Sequence, residues 1–197
     1  MGHGESRRYP LRFPDIFEDV PSAVSYLAGR EEVDEERIGV FGISLGGALA
    51  IRAAAEDRRI RAVVTLAAPY QLELKRGMIL KEPLTLFSRT IFGLFREVSF
   101  YNLLRPWFEA PARLEMEPRE LIGGIKVLES APQIAPRPLL ILNGSRDSIV
   151  PLRQAERIYE SAGQPKALLP LKGIRHLTML FSREALDQAV EWLEKNL

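Results

Sequence analysis

Four short apolar runs recur along the chain, and the apolar residues between them follow a helical spacing. The runs cover residues 37–41, 60–66, 138–144 and 166–171. Their apolar residues are continuous rather than alternating, which is typical of strands buried on both faces of a parallel sheet. The last run is the weakest strand signal, because Pro170 cannot donate a hydrogen bond to a neighbouring strand.

The stretches between the runs predict amphipathic helices. Apolar residues recur every three or four positions over 20–27, 152–159 and 186–193, and the alanine-rich stretch 46–56 favours a further helix. Strand and helix therefore alternate along most of the chain. This alternation predicts an α/β fold with a mostly parallel sheet and right-handed crossovers.

The stretch from about residue 71 to residue 135 interrupts this alternation. It is too long to be a loop without structure of its own. Apolar residues fall at helical spacing over 84–98, and Pro118 opens a further helix that continues to about Leu128. We predict a helical cap insertion over 71–135, packed on a core that is formed by 1–70 and 136–197.

Composition narrows the class of protein. The chain has 197 residues, of which 46% are hydrophobic and 27% are charged, and this balance is that of a globular domain. A net charge of +1 gives no overall field that favours nucleic acid or an anionic membrane. The absence of cysteine excludes disulfides, thiolate metal sites and a cysteine nucleophile. No apolar run approaches the roughly 20 residues that span a bilayer, and residues 1–8 lack the apolar core of a signal peptide. A cytoplasmic location is therefore expected.

The segment 39–47 has the pattern that carries chemistry. It contains Gly42-x-Ser44-x-Gly46 between a predicted strand and the alanine-rich helix. Such a turn is tight enough to strain the serine backbone, and side chains at both flanking positions are expected to collide with their surroundings. The hydroxyl of Ser44 would then project above the sheet, and the Leu45 amide would point at the same space as an oxyanion donor. The alternative is a glycine-rich turn in which Ser44 only caps the helix.

A serine hydroxyl is a weak nucleophile and needs a base. The chain has two histidines, His3 and His176, and only His176 follows the serine. It lies between the last predicted strand and the final helix, so we predict that it is the base. The alternative is an ordinary histidine in a surface loop.

The acid that orients the histidine is expected between the serine and the histidine. Asp147 lies there, in the segment 143–151 that continues the strongest strand of the second half. A carboxylate in this loop can hold the imidazole in the required tautomer. The alternative is an aspartate that stabilises a turn or caps a helix. Glu184 and Asp187 follow His176 and are in the wrong order.

With these residues placed, the chain resembles the α/β-hydrolase superfamily over nearly its whole length. It is most similar to esterases and acyl-peptidases of the prolyl-oligopeptidase-like and dienelactone-hydrolase-like branch. Besides the serine motif, the resemblance rests on the phrases at 2–6 (Gly-His-Gly-Glu-Ser), 18–20, 33–40 and 144–151. It implies a partial α/β-hydrolase fold in which 71–135 occupies the position of the cap, between the sixth and seventh strands of the family's sheet.

The resemblance also implies that the front of the family's fold is missing. In the family, the Gly-His-Gly-x-Ser phrase follows the fourth strand, and the loop after the third strand donates the second oxyanion amide. The alternative gives that role to His3 and Gly4. Without the earlier strands, the strand that contains Val40 and Phe41 would have an unpaired edge, which favours association into a homo-oligomer.

Two functions from different classes follow from these observations. The first is a serine hydrolase that cleaves a carboxylic ester or amide through an acyl-enzyme, with Ser44, His176 and Asp147 as nucleophile, base and acid. Its substrate would be a small ester or a short peptide, and neither a metal nor an organic cofactor is implied. The second is an N-terminally truncated, weakly active or inactive module that acts in binding or assembly.

Overall fold

A computed structural model describes residues 13–71 and 118–197 of the chain. In this part the backbone forms a parallel four-stranded sheet. The strands lie in the spatial order β1 (Ile38–Ile43), β2 (Ile60–Leu66), β3 (Leu139–Gly144) and β4 (Lys166–Leu171). Each strand coincides with a predicted apolar run to within two residues, and the predicted parallel arrangement is confirmed.

The two middle strands have the double-sided burial that their apolar runs predict. All six residues of β3 are buried, and in β2 only Arg61 is partly exposed. The strands at the two ends of the described sheet, β1 and β4, are partly exposed. Pro170 lies on β4, so its missing amide proton falls on an outer strand, where proline is tolerated.

The helices predicted over 20–27, 46–56, 152–159 and 186–193 are also found, whereas the helix predicted from Pro118 to about Leu128 is interrupted at Lys126, whose backbone is left-handed. The helices are α1 (Phe13–Ala28), α2 (Leu45–Glu56), α3 (Pro118–Ile125), α4 (Val127–Ser130), α5 (Leu152–Ser161) and α6 (Arg183–Asn196). Within the described residues, short 3-10 turns lie at Glu35–Arg37, Ala131–Ile134 and Leu177–Phe181. None of the helices in 13–71 and 118–197 combines the length and the apolar character that crossing a membrane requires.

Hydrophobic cores lie on both faces of the sheet, because successive strand residues point in opposite directions. Val63 and Ile141 belong to a core that includes residues of α2 and α5. Their neighbours Val64 and Leu140 belong to a second core, which α6 covers with Ala185 and Ala189. The sheet is therefore a middle layer between helices, and its strand ends are left to build a site.

Most of the predicted insertion lies outside the described residues, including the helix expected over 84–98 and the residues up to 117. Its last part, from 118 to 134, is described and packs on α2. Buried residues there, among them Ile125, Val127 and Ile134, belong to the core on the α2 face of the sheet. The division into a core and an insertion at 71–135 stays a prediction.

Candidate active site

Ser44 is the single residue between the end of β1 and the start of α2. Its backbone has φ 52° and ψ −122°, a conformation that side-chain-bearing residues rarely adopt. The conformation is held from both sides, because the Ser44 amide donates to Leu66 O at 2.8 Å and its carbonyl accepts from Gly47 N at 2.9 Å. The side chain makes no capping hydrogen bond to α2. The strained turn predicted from the sequence is confirmed, and the alternative of a helix-capping serine is wrong.

The glycines around Ser44 differ in how much space a side chain would have. A Cβ added at Gly42 would overlap the carbonyl of Gly46 and lie 2.7 Å from the Cα of Gly47. A Cβ at Gly47 would lie 3.0 Å from the Cβ of Ala68, whereas no described atom lies within 4 Å of a Cβ at Gly46. The expected collision is therefore confirmed at Gly42 and wrong at Gly46. Gly47 has a steric role that its position inside a helix did not indicate.

We expect Gly42→Ala to destabilise the fold and Gly46→Ala not to do so. The first must push the initial turn of α2 away from β1, which we expect to cost about 3 kcal/mol of unfolding free energy. The second replaces a helical glycine in open space, so stability should stay unchanged or rise by up to about 1 kcal/mol. Urea unfolding of the two variants measures both effects. Equal stability of the Gly42→Ala and wild-type proteins would contradict the close approach of α2 to β1.

His176 follows β4 and immediately precedes the 3-10 turn at Leu177–Phe181. Its Nε2 lies 3.2 Å from the Oγ of Ser44, although the two residues are 132 positions apart in the sequence. The side chain is only 10% exposed, so it does not have the exposure of an ordinary surface-loop histidine. Thr178 braces the turn, because its hydroxyl both accepts from the Arg175 amide and donates to the Arg175 carbonyl, each at 3.1 Å.

Asp147 lies in the loop that follows β3, and its two carboxylate oxygens have different partners. Oδ2 is 2.7 Å from Nδ1 of His176. Oδ1 accepts hydrogen bonds from the amides of Ile149 and Val150, both at 2.8 Å. The side chain is fully buried. Asp147 therefore stabilises a turn, as the alternative interpretation expected, and contacts the histidine at the same time.

Comparisons with known proteins point to one fold. Residues 2–92 match the model of the acetyl xylan esterase (AXE1) family. Uncharacterized protein PA2218 of Pseudomonas aeruginosa is 28% identical over 89% of this chain and 57% of its own length. The chain spans about half the length of the curated relatives that it matches, since the fractions for three of them are 57%, 44% and 52%.

Two solved structures define the architecture. The α/β hydrolase GrgF from Penicillium sp. sh18 superposes with a TM-score of 0.63 at 20% identity, over 97% of this chain and 74% of that one. The monoacylglycerol lipase of Paleococcus ferrophilus gives a TM-score of 0.66 at 19% identity, over 100% and 81% of the two chains. This chain has the α/β-hydrolase fold. The predicted fold is thereby confirmed, and the comparisons agree with the resemblance to esterase-type α/β hydrolases.

In this α/β-hydrolase fold, hydrogen bonds join the loops after β3 and β4 beyond the ends of the strands. The Ser145 amide donates to Leu171 O at 2.9 Å, and its hydroxyl accepts from the Gly173 amide at 2.9 Å. The Arg146 amide donates to Ile174 O at 3.0 Å. These bonds fix the loop of Asp147 against the loop of His176. Sequence reasoning missed them, because the pairing of two loops depends on strand register.

The proposed oxyanion donor, Leu45, is the first residue of α2. The first amides of a helix have no acceptor within the helix, so the Leu45 N–H is available at the turn that holds Ser44. The alternative second donor, at His3 and Gly4, lies outside the described residues. Asp187, which was set aside for its position in the chain, lies on α6 in an exposed contact with Arg183.

Proposed function

We propose that this chain is a serine hydrolase that cleaves carboxylic esters, with Ser44 as nucleophile, His176 as base and Asp147 as acid. The observation that supports it most is the continuous line of polar contacts from Ser44 Oγ to His176 Nε2, 3.2 Å, and from His176 Nδ1 to Asp147 Oδ2, 2.7 Å. The match of residues 2–92 to an esterase family model supports the choice of an ester as substrate.

The contacts support an assignment of which nitrogen of His176 accepts a proton. An ionised carboxylate can only accept, so the hydrogen between Asp147 and His176 sits on Nδ1. Nε2 then presents its lone pair to the Ser44 hydroxyl. This is the arrangement in which the imidazole removes the serine proton as the oxygen attacks a carbonyl carbon.

The reaction then proceeds in two halves. Ser44 Oγ bonds to the ester carbon, and the protonated His176 returns its proton to the departing alcohol. A water molecule then gives a proton to His176 and attacks the carbonyl carbon of the acyl-enzyme. The bond between that carbon and Ser44 Oγ breaks, His176 returns the proton to Oγ, and the acid is released. Asp147 stays ionised and stabilises the imidazolium in both halves.

The start of α2 supplies the complementary charge. As the carbonyl carbon becomes tetrahedral, its oxygen gains negative charge, and the Leu45 amide at the helix N-terminus donates a hydrogen bond to it. We infer that the strained backbone of Ser44 serves the same purpose, by directing the hydroxyl and the next amide to the same side of the turn. We also propose that the insertion at 71–135 covers this space and selects the acyl group.

The direct test is labelling with a fluorophosphonate, which reacts with activated serines. We expect a single adduct, located on Ser44 by mass spectrometry. His176→Ala should slow the labelling strongly, because the hydroxyl then has no base. Adducts on Ser6, Ser145 or Ser148 with none on Ser44 would overturn the assignment.

The substrate class is tested by comparing the hydrolysis rates of model compounds. We expect hydrolysis of p-nitrophenyl acetate to exceed that of the corresponding anilide, and the rate to fall on acidification, because a protonated His176 cannot accept the serine proton. Absence of both labelling and hydrolysis in folded protein would favour a binding module instead.

A further inference from the structure

Asn143 is a polar residue in an otherwise apolar strand. It is the penultimate residue of β3, where it follows four buried leucine or isoleucine residues and is itself fully buried. Removing an amide side chain from water costs free energy unless its polar atoms find partners. A buried asparagine at this position therefore needs a specific reason.

The side-chain amide of Asn143 closes the loop that contains Asp147. Its Nδ2 donates to the carbonyl of Gly144 at 3.2 Å and to the carbonyl of Val150 at 3.1 Å. These two carbonyls lie on either side of Asp147, one before it and one after it. One side chain thus holds together the two ends of a seven-residue segment, 144–150.

The Val150 residue links Asn143 to the carboxylate. Its carbonyl accepts from Asn143, and its amide donates to Oδ1 of Asp147 at 2.8 Å. Because Oδ1 is held by two amides, the carboxylate cannot rotate freely, and Oδ2 stays directed at His176. The order of contacts runs from Asn143 through Val150 and Asp147 to His176.

Stability alone does not explain the choice of asparagine. The Oδ1 atom of Asn143 is buried and finds no hydrogen-bond partner among the described residues. An acceptor left unpaired in this way costs on the order of 1–3 kcal/mol, which an apolar side chain would avoid. The two donated hydrogen bonds are the feature that only the amide provides.

We propose that Asn143 is a positioning residue, which holds the Asp147 loop so that the carboxylate faces His176. The inference rests on the proposed function of Ser44, His176 and Asp147. Asn143 is not expected to touch the substrate.

The test uses Asn143→Leu, which has a similar size and no donors, and Asn143→Ala in case leucine does not fit. We expect kcat for p-nitrophenyl acetate to fall by about tenfold to a hundredfold with KM nearly unchanged, since ångström-scale displacement of a reacting group can cost about 10² in rate. The control is Ile60→Val. Ile60 is a buried core residue at the start of β2, away from the strand ends that carry the site. This change should lower stability by about 1 kcal/mol and leave kcat and KM unchanged.

A measurement without turnover separates this inference from the proposed function. The proton between His176 Nδ1 and Asp147 should give a downfield NMR signal, which the Asn143 variants lose or shift and Ile60→Val retains. If the wild type hydrolyses no ester but the Asn143 variants still lose the signal, the role of Asn143 in positioning Asp147 is supported and the proposed function is refuted. An active wild type whose folded Asn143 variants keep both kcat and the signal would overturn the role of Asn143.

Discussion

Replacing Ser44 by glycine is expected to abolish ester hydrolysis and at the same time to stabilise the fold. The hydroxyl is the proposed nucleophile, so its loss should lower kcat/KM by a factor on the order of 10⁴ or more. The backbone of Ser44, at φ 52° and ψ −122°, is strained for any residue with a side chain. Such conformations cost on the order of 1–3 kcal/mol, and glycine relieves that cost.

The matched control is Ser44→Ala, which removes the same oxygen but keeps the Cβ and the strain. It should be as inactive as the glycine variant, with a free energy of unfolding close to that of the wild type. Because glycine also loses more chain entropy on folding, we expect a net gain of about 1 kcal/mol for Ser44→Gly over Ser44→Ala. Urea denaturation measures the difference. A glycine variant that is less stable than the alanine variant would show that the elbow stores no strain.

The second large effect is expected from Asp147→Asn, which should lower kcat by a factor on the order of 10⁴ with the fold intact. The reason lies in the two partners of the carboxylate. The amides of Ile149 and Val150 require an acceptor at Oδ1, so the carbonyl oxygen of an asparagine would take that place. Its NH₂ group would then face His176 and donate to Nδ1. This donation leaves the ring proton on Nε2, which can no longer accept a proton from Ser44.

Asp147→Ala provides the comparison. Alanine leaves the amides of Ile149 and Val150 without an acceptor, and hydrogen bonds to a charged group contribute about 1.5–3 kcal/mol each. The Asp147→Ala protein should therefore be clearly less stable than the Asp147→Asn protein, whereas both should have low activity. Steady-state kinetics and thermal unfolding of the two variants separate catalysis from stability. Wild-type activity in Asp147→Asn would rule out Asp147 as the residue that orients His176.

The sequence by itself determined the features that depend on neighbouring residues. Continuous apolar runs predicted strands at 60–66 and 138–144, because a strand buried on both faces has few polar positions. The tight turn at Ser44 was predictable for the same local reason, since a strand, a small-residue turn and an alanine-rich helix follow one another without interruption. The order of Ser44, Asp147 and His176 along the chain then indicated which residues to pair.

The tertiary structure alone decided how those residues meet. Ser44 and His176 are 132 positions apart, and Asp147 and His176 are 29 apart. Their distances depend on the register of three parallel strands and on loops that bond beyond them. The role of Asn143 is of the same kind, because a buried asparagine has no sequence signature until its two carbonyl partners are seen. Close approaches also belong to the tertiary level, which is why the collision expected at Gly46 is absent and an unexpected close contact is found at Gly47. Local patterns select the elements and the residue types, whereas packing between distant elements sets the distances on which the chemistry depends.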